Sequence, residues 1–188
     1  AMEAIGNNNQ TGTVAIGASA LAVLTSGVGN TAVGYKAGTA LTSGATNTAI
    51  GYESLMTEDL GFGTTAIGYR ACFYQNSDDS DEVTGNTAVG FAALHVNVDG
   101  QFNTAIGYEA LYTYEADTDN HGQNTGVGYR AGKFISTGTG NTFMGYNAGL
   151  GITGTPLLGN GNTAVGQDAG LLLQGAAAGN TLLGSQAG

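Results

Sequence analysis

The stretch N-T-A-V-G-Y, from Asn30 to Tyr35, decides the fold of this chain, because variants of it recur ten times along the 188 residues. Its glycine, here called the anchor glycine, returns after about 17 residues in most cases and after up to about 22 residues where the unit is lengthened. The anchor glycines are Gly17, Gly34, Gly51, Gly68, Gly90, Gly107, Gly128, Gly145, Gly166 and Gly184. Such a short and regular unit is typical of one coil of a β-solenoid, in which each coil stacks on the one before it. We therefore predict an all-β parallel β-solenoid of about ten coils that forms a single domain over residues 1-188 and measures about 48 Å at roughly 4.8 Å per coil.

The repeat also separates two faces of each strand. Alternate strand residues point to opposite sides, so Thr31, Val33 and Tyr35 share one face while Ala32 and Gly34 share the other. Because a large apolar residue precedes the anchor glycine in every coil, we expect that column to form the core. We expect the alanine and glycine face, which is nearly without side chains, to admit a second backbone and to support self-association.

Two further columns indicate stacking in register. Asparagine precedes the strand threonine in eight coils, and stacked asparagine amides can bond along the axis of a stack of strands. Two residues after the anchor glycine, opposite charges fall on neighbouring coils, as with Glu53 and Arg70 or Glu109 and Arg130. Exposed pairs of this kind contribute only about 0–1 kcal/mol each, so we use them as evidence of register rather than of stability.

Composition excludes several function classes. The chain has 34 glycines, a net charge of −10 and only four basic residues, so no patch can neutralise several phosphates and nucleic acid is not an expected partner. It contains no apolar run long enough to span a bilayer. Its single cysteine, Cys72, occupies a column otherwise filled by leucine or glycine, and we expect a small buried hydrophobe there. The chain begins and ends inside degenerate repeats, and we predict that it is a fragment of a longer fibre protein.

The variants T-V-A-I-G at Thr13 to Gly17, N-T-A-V-G and N-T-A-I-G resemble the head repeats of trimeric autotransporter adhesins (YadA-like heads). They are also similar to the shaft repeats of phage tail fibres and of related bacterial surface fibres. The resemblance covers nearly the whole chain, and it implies a left-handed parallel β-roll, a homotrimer around one axis and a role in attachment. A tyrosine follows the anchor glycine in six coils, as at Tyr35, which is closer to the tail-fibre repeats than to the adhesin heads.

Candidate sites lie in the insertions that lengthen some coils, near residues 73-84, 112-122 and 150-160. The D-x-D-x-H-G stretch, with Asp117 and Asp119, is similar to the start of a calcium loop, although its twelfth position is Gly128 rather than an acidic residue. A solvated acidic loop is the alternative to calcium, and we expect no other cofactor. Aromatic residues flanked by carboxylates and amides suit sugar recognition, which makes a host-surface glycan or receptor a candidate ligand. The candidate ligand-binding residues are Phe73, Tyr74, Tyr112, Tyr114 and His121.

We expect the chain not to be an enzyme, because two histidines and one cysteine do not assemble a nucleophile–base set from their spacing. The leading hypothesis is a structural and adhesive fibre segment, extracellular on a cell surface or virion, that displays weak binding sites rigidly and in three copies. An ice-binding solenoid is one alternative, because the threonine column is regular, although it has one threonine per coil and shares a face with the expected core. A glycan-cleaving solenoid is another, and it needs paired carboxylates across a groove.

Overall fold

The fold is a parallel β-solenoid in a computed structural model, which describes residues 10–77, 82–114 and 121–188. Ten strands of three residues, one per coil, form a single sheet in chain order, and every pair is parallel. They are β1 (Val14–Ile16), β2 (Thr31–Val33), β3 (Thr48–Ile50), β4 (Thr65–Ile67), β5 (Thr87–Val89), β6 (Thr104–Ile106), β7 (Thr125–Val127), β8 (Thr142–Met144), β9 (Thr163–Val165) and β10 (Thr181–Leu183). Helix is absent from the part of the chain that the structure describes. The predicted repeat architecture is thus confirmed.

The coils stack in the register that the repeat predicts. Thr31 lies opposite Thr48, and the two residues after each threonine pair in the same order. Hydrogen bonds between coils continue beyond the strands, so the turns stack as well: the Glu53 amide donates to the Tyr35 carbonyl at 2.8 Å, and the Leu55 amide donates to Ala71 at 2.9 Å. Each column of the repeat is therefore a physical row along the axis.

The prediction of which strand face points inward was wrong. The alanine column is buried, with Ala32 and Ala66 at 0% exposure, whereas the column before the anchor glycine faces outward, with Ile16 at 59% and Ile106 at 40%. The alternation of residues along each strand correctly separates the two faces. Because the coil is so short, however, its interior is narrow, and only a small strand side chain fits there beside the leucines from the turns. The valines and isoleucines therefore line the outer surface of the sheet.

The backbone that approaches the alanine and glycine face belongs to the next coil of the same chain. A Cβ on Gly34 would overlap the carbonyl oxygen of Gly51, and the same clash recurs at most of the other anchor positions. Gly34 also has φ +137°, a conformation that side chains disfavour. The anchor glycine is therefore required by coil stacking, and self-association through this face, as first predicted, has no room.

Leucines in the turns fill the interior. Where the fourth residue after the anchor glycine is leucine, as at Leu21, Leu55 and Leu111, it has a left-handed φ of +48° and its side chain is fully buried in the core. Cys72 stands in this column and is also fully buried, as predicted. Burial raises the pKa of its thiol, and the charge of Glu58 raises it further, so the thiol stays protonated.

Three coils depart from the alanine column, at Gly126, Phe143 and Leu182, and the coil of β8 is repacked around a large aromatic side chain. Phe143 takes the alanine position of β8 and is fully buried. A Cβ on Gly132 would lie 2.8 Å from the Phe143 ring, and one on Gly149 would overlap that ring. Both glycines occupy the column that holds leucine in other coils, so one phenylalanine ring replaces leucine side chains from two coils.

The asparagine column forms the expected ladder along the axis. The Asn30 side-chain oxygen accepts a hydrogen bond from the Asn47 amide of the next coil at 2.9 Å, while its Nδ2 donates to the Gly44 carbonyl at 2.7 Å. Further along, the Asn162 side-chain amide donates directly to Asn141 at 2.9 Å. These buried amides satisfy backbone groups in the turn, which favours a single register over slipped alternatives.

The last coils are rich in leucine, and their interior is partly open. Leu173 and Leu182 line a cavity of about 270 Å³ together with Gly170 and Gly188. Leu172 and Leu183 are 63% and 64% exposed.

Candidate functional site

Seven aromatic rings form a continuous stack along the outside of the solenoid, here called the aromatic ladder. Neighbouring rings have centroids 4.8–5.4 Å apart and planes within 26° of parallel. The ladder consists of Tyr35, Tyr52, Tyr69, Phe91, Tyr108, Tyr129 and Tyr146. Because each ring follows an anchor glycine and the coils stack in register, the rings are spaced by one coil.

The ladder presents ring edges and hydroxyl groups to solvent rather than ring faces. Each inner ring is covered on both faces by its neighbours, yet five of the six tyrosines remain 39–52% exposed, from Tyr69 at the lower end to Tyr146 at the upper end. Sugar recognition by aromatic residues uses the ring face. The inner rings therefore do not offer a sugar-stacking platform.

A second aromatic group lies on another corner and contains three of the predicted ligand residues. His95 stacks between Phe73, at 5.2 Å, and Tyr112, at 4.9 Å, and Tyr74 contacts both Phe73 and His95 edge-on. We call these four residues the aromatic corner. Phe73 and His95 are 8% exposed, whereas Tyr74 is 49% exposed and gives the corner its accessible ring.

His95 is a member of this group that was not predicted from the sequence. A signal was present, because His95 stands five residues after its anchor glycine, as do Phe73 and Tyr112 after theirs. Its Nδ1 lies 3.2 Å from the Arg70 carbonyl and donates to it when that nitrogen carries the proton. Burial lowers the pKa of His95, although this hydrogen bond opposes the shift.

All four basic residues lie against rings of the aromatic corner or the ladder, and Lys36 Nζ is 5.3 Å from the Tyr35 ring centre. The Arg70 guanidinium lies 5.0 Å from the Phe73 ring centre, and Lys133 Nζ lies 5.4 Å from that of Tyr112. Arg130 lies over the ladder, with its Cζ 4.9 Å from the Tyr129 ring centre.

The predicted charge pairs between coils are present. Arg70 Nε donates to Glu53 at 2.8 Å, and Glu109 accepts from both Arg130 at 2.8 Å and Lys133 at 2.6 Å. Burial of Glu109 acts to raise its pKa, but the hydrogen bonds from Lys133 and Arg130 outweigh it and the pKa is lowered. The basic groups are thus partly neutralised where a ligand would meet them.

The other predicted site residues are placed elsewhere. Tyr114 is fully buried in the core, so its ring is not on the surface that a ligand would contact. His121 has an exposed side chain, and its carbonyl accepts from the Gln101 amide at 2.9 Å, in a different column from the aromatic corner. Asp117 and Asp119, the calcium candidates, lie outside the described residues. Within residues 10–77, 82–114 and 121–188, no group of three acidic, histidine or cysteine side chains could hold a metal ion.

The interior contains a polar segment that sequence analysis did not identify. At the seventh position after the anchor glycine, where other coils place Leu24 or Leu41, three consecutive coils place Glu58, Gln75 and Asn97, all fully buried. The Glu58 carboxylate accepts from the Gly61 amide at 2.7 Å, from Gln75 Nε2 at 2.9 Å and from the Ser77 amide and hydroxyl, both at 3.2 Å. Its charge is therefore held by hydrogen-bond donors inside the solenoid.

No protein family model, curated protein or solved structure matches this chain. In the described portion of the chain, no helix has the length and apolar character needed to cross a membrane.

Proposed function

We propose that this chain is a structural and adhesive segment of an extracellular fibre, on a phage tail or a bacterial surface, in which three copies assemble into a rigid rod. The observation that carries the proposal is the outward apolar column of the sheet. It runs through all ten strands, and Ile50, Ile106 and Met144 are 36%, 40% and 43% exposed in the single chain. A contiguous exposed apolar row of this kind marks an interaction surface.

Two further copies of the same chain are the occupants that we propose for this surface. The column repeats with the period of the coils, so a partner with the same period can match it along its whole length. Any other partner would need its own apolar row at about 4.8 Å spacing. The face carries few charges, because the strand residues are threonine, alanine and aliphatic residues in most coils, which suits burial between chains.

The mass of the purified chain in solution tests this proposal. We expect sedimentation equilibrium to give three chain masses for the native protein and one for the variant Ile50→Asp/Ile106→Asp, because two carboxylates would be buried without partners. Val23→Asp/Val28→Asp is the matched control, since these valines are 41% and 37% exposed but lie outside the strands. We expect the control to remain trimeric. A native mass of one chain would refute the assembly.

Attachment is the second part of the proposal, and the aromatic corner is its candidate contact. Three copies of a weak site at fixed spacing can raise avidity by about 10²–10⁴ over one copy. We expect the trimer to bind a glycan or cell-surface preparation and Tyr74→Ala to lose that binding while it retains the trimeric mass. Glycan arrays and whole-cell binding with labelled trimer provide the readout, and silence in both assays would leave only a shaft role.

An ice-binding solenoid is a second candidate, and the orientation of the sheet favours it more than the sequence did. Thr31, Thr48 and Thr65 face outward in register beside the exposed aliphatic column, instead of sharing a face with the core. Because the proposed trimer would cover this face, the threonine array would be exposed to ice only in a monomeric chain. Thermal hysteresis from a monomeric protein would support ice binding over the fibre proposal.

A further inference from the structure

We infer that the aromatic ladder is a site of oxidative modification, at which tyrosines of neighbouring coils become joined as dityrosine and fasten the coils covalently along the axis. The inference rests on the geometry of the ladder and is independent of the proposed trimer. It requires phenols that are neighbours in space, partly exposed and held in a fixed order. All three conditions are met on this surface.

The ladder contains two runs of three tyrosines separated by one phenylalanine. The centroid distances are 5.1 and 5.4 Å within the first run and 5.3 and 5.0 Å within the second. Phe91 lies between the runs, at 4.9 Å from Tyr69 and 4.8 Å from Tyr108. The first run is Tyr35, Tyr52 and Tyr69, and the second is Tyr108, Tyr129 and Tyr146.

The chemistry balances with a one-electron oxidant, such as a peroxidase supplied with hydrogen peroxide. Each of two phenols loses one electron to the oxidant and one proton to solvent, which gives two tyrosyl radicals. The radicals couple through a carbon–carbon bond between their ortho carbons. The hydrogen on each coupled carbon then moves to the phenolic oxygen and restores the aromatic ring, so the pair has lost two electrons and two protons in total. Hydrogen peroxide accepts both electrons and becomes water.

The structure specifies which pairs can couple. Neighbouring rings are one coil apart, and partly exposed side chains can close the remaining distance by rotation about their side-chain bonds. Phe91 has no phenol to oxidise, and it leaves Tyr69 and Tyr108 two coils apart, at roughly 9.6 Å. On the aromatic corner, Tyr74 and Tyr112 both contact His95, Tyr74 edge-on and Tyr112 by stacking. Cross-links should therefore form within each run and not between the runs.

Two double variants with the same number of tyrosines test the inference. Tyr52→Phe/Tyr129→Phe removes the middle tyrosine of each run, so that no two neighbouring ladder rings are both tyrosine. Tyr35→Phe/Tyr146→Phe removes the outer tyrosines and leaves one neighbouring pair in each run. Phenylalanine suits the ladder, because Phe91 stacks within 7° of parallel on both neighbours. Unchanged circular dichroism and melting would verify that both variants fold.

The native chain and the variants would be treated with peroxidase and hydrogen peroxide, followed by dityrosine fluorescence and mass spectrometry of the peptides. We expect the outer variant to match the native yield, since each run can still form one cross-link, and the middle variant to lose at least tenfold. Phe91→Tyr should raise the yield up to 1.5-fold, because seven consecutive tyrosines allow three cross-links instead of two. It should also produce a new peptide that joins residue 91 to Tyr69 or Tyr108.

Three outcomes would overturn the inference. The first is equal yield from the two double variants. The second is a native product that is mainly between chains or that joins Tyr69 to Tyr108. The third is the absence of dityrosine from the native chain under conditions that oxidise free tyrosine.

Discussion

Replacement of Phe143 by alanine should destabilise the solenoid strongly, and a compensating leucine should restore much of the loss. Phe143 is fully buried and is the aromatic exception in a column that other coils fill mostly with alanine. Truncation of a buried phenylalanine typically costs about 3–5 kcal/mol, because apolar contacts are lost and a cavity remains. The narrow interior is held by hydrogen bonds on every coil, so little collapse into the cavity is expected.

The compensating change is Gly149→Leu, which gives this coil the combination of alanine and leucine found around Leu55. Gly149 has φ +55°, close to the φ of +48° at Leu55, so the backbone already has the required conformation. A non-glycine residue with this φ costs about 1–3 kcal/mol, whereas a buried leucine contributes about 2–5 kcal/mol relative to alanine. In the native background the same leucine would overlap the Phe143 ring, so Gly149→Leu alone should be destabilising.

A double-mutant cycle measures this coupling. The free energy of unfolding of the four proteins would be obtained from urea titrations followed by circular dichroism, at one protein concentration because the proposed assembly would contribute to stability. We expect the double variant to be more stable than either single variant, with a favourable coupling of about 2 kcal/mol or more between the two positions. Additive losses would refute the packing argument, because they would mean that the ring and the glycine do not share one space.

Three other predictions address the site and the core. Because burial lowers the pKa of His95, the folded state binds fewer protons, so this residue should make the protein less stable as pH falls below about 6.5, the unfolded value. Urea midpoints at pH 7.5 and pH 5 should show the loss, His95→Phe should reduce it, and greater native stability at pH 5 would contradict the assignment. Glu58→Leu should lower the free energy of unfolding by about 3 kcal/mol or more, because buried donors such as the Gly61 amide lose their hydrogen-bond acceptor. A variant more stable than the native chain would show that the polar segment is not required for folding. Gly51→Ala should prevent folding or lower the melting temperature sharply, because the added Cβ would overlap the Gly68 carbonyl of the next coil. Gly140→Ala is the control: nothing lies within 4 Å of its added Cβ, so it should cost only about 1–2 kcal/mol of stability for its positive φ. Equal losses in the two variants would contradict the role of contact between coils.

The positions of residues in the repeat predicted which side chains form a row along the axis. The backbone conformation of the turns decided which of the turn side chains are buried or in contact. The aromatic ladder is predictable in its order, because Tyr35 and its equivalents occupy one position of a repeat that stacks in register. The burial of Tyr114 and the participation of His95 were not predicted. Both lie in the turns, where the direction of a side chain depends on left-handed backbone conformations that a pattern of apolar residues does not reveal.

The sequence by itself determined the period, the parallel stacking, the two faces of each strand, the asparagine ladder and the charge pairs such as Arg70 with Glu53. Each follows from one residue type returning at one position, since identical coils stack identical groups. Only the tertiary structure decided which face points inward. The alternation of residues along a strand is the same whichever face points inward, so it cannot identify the inner face. Because the coil is so short, its interior has space for Ala32 but not for Val33 beside the leucines of the turns. That narrow interior turns the aliphatic column outward.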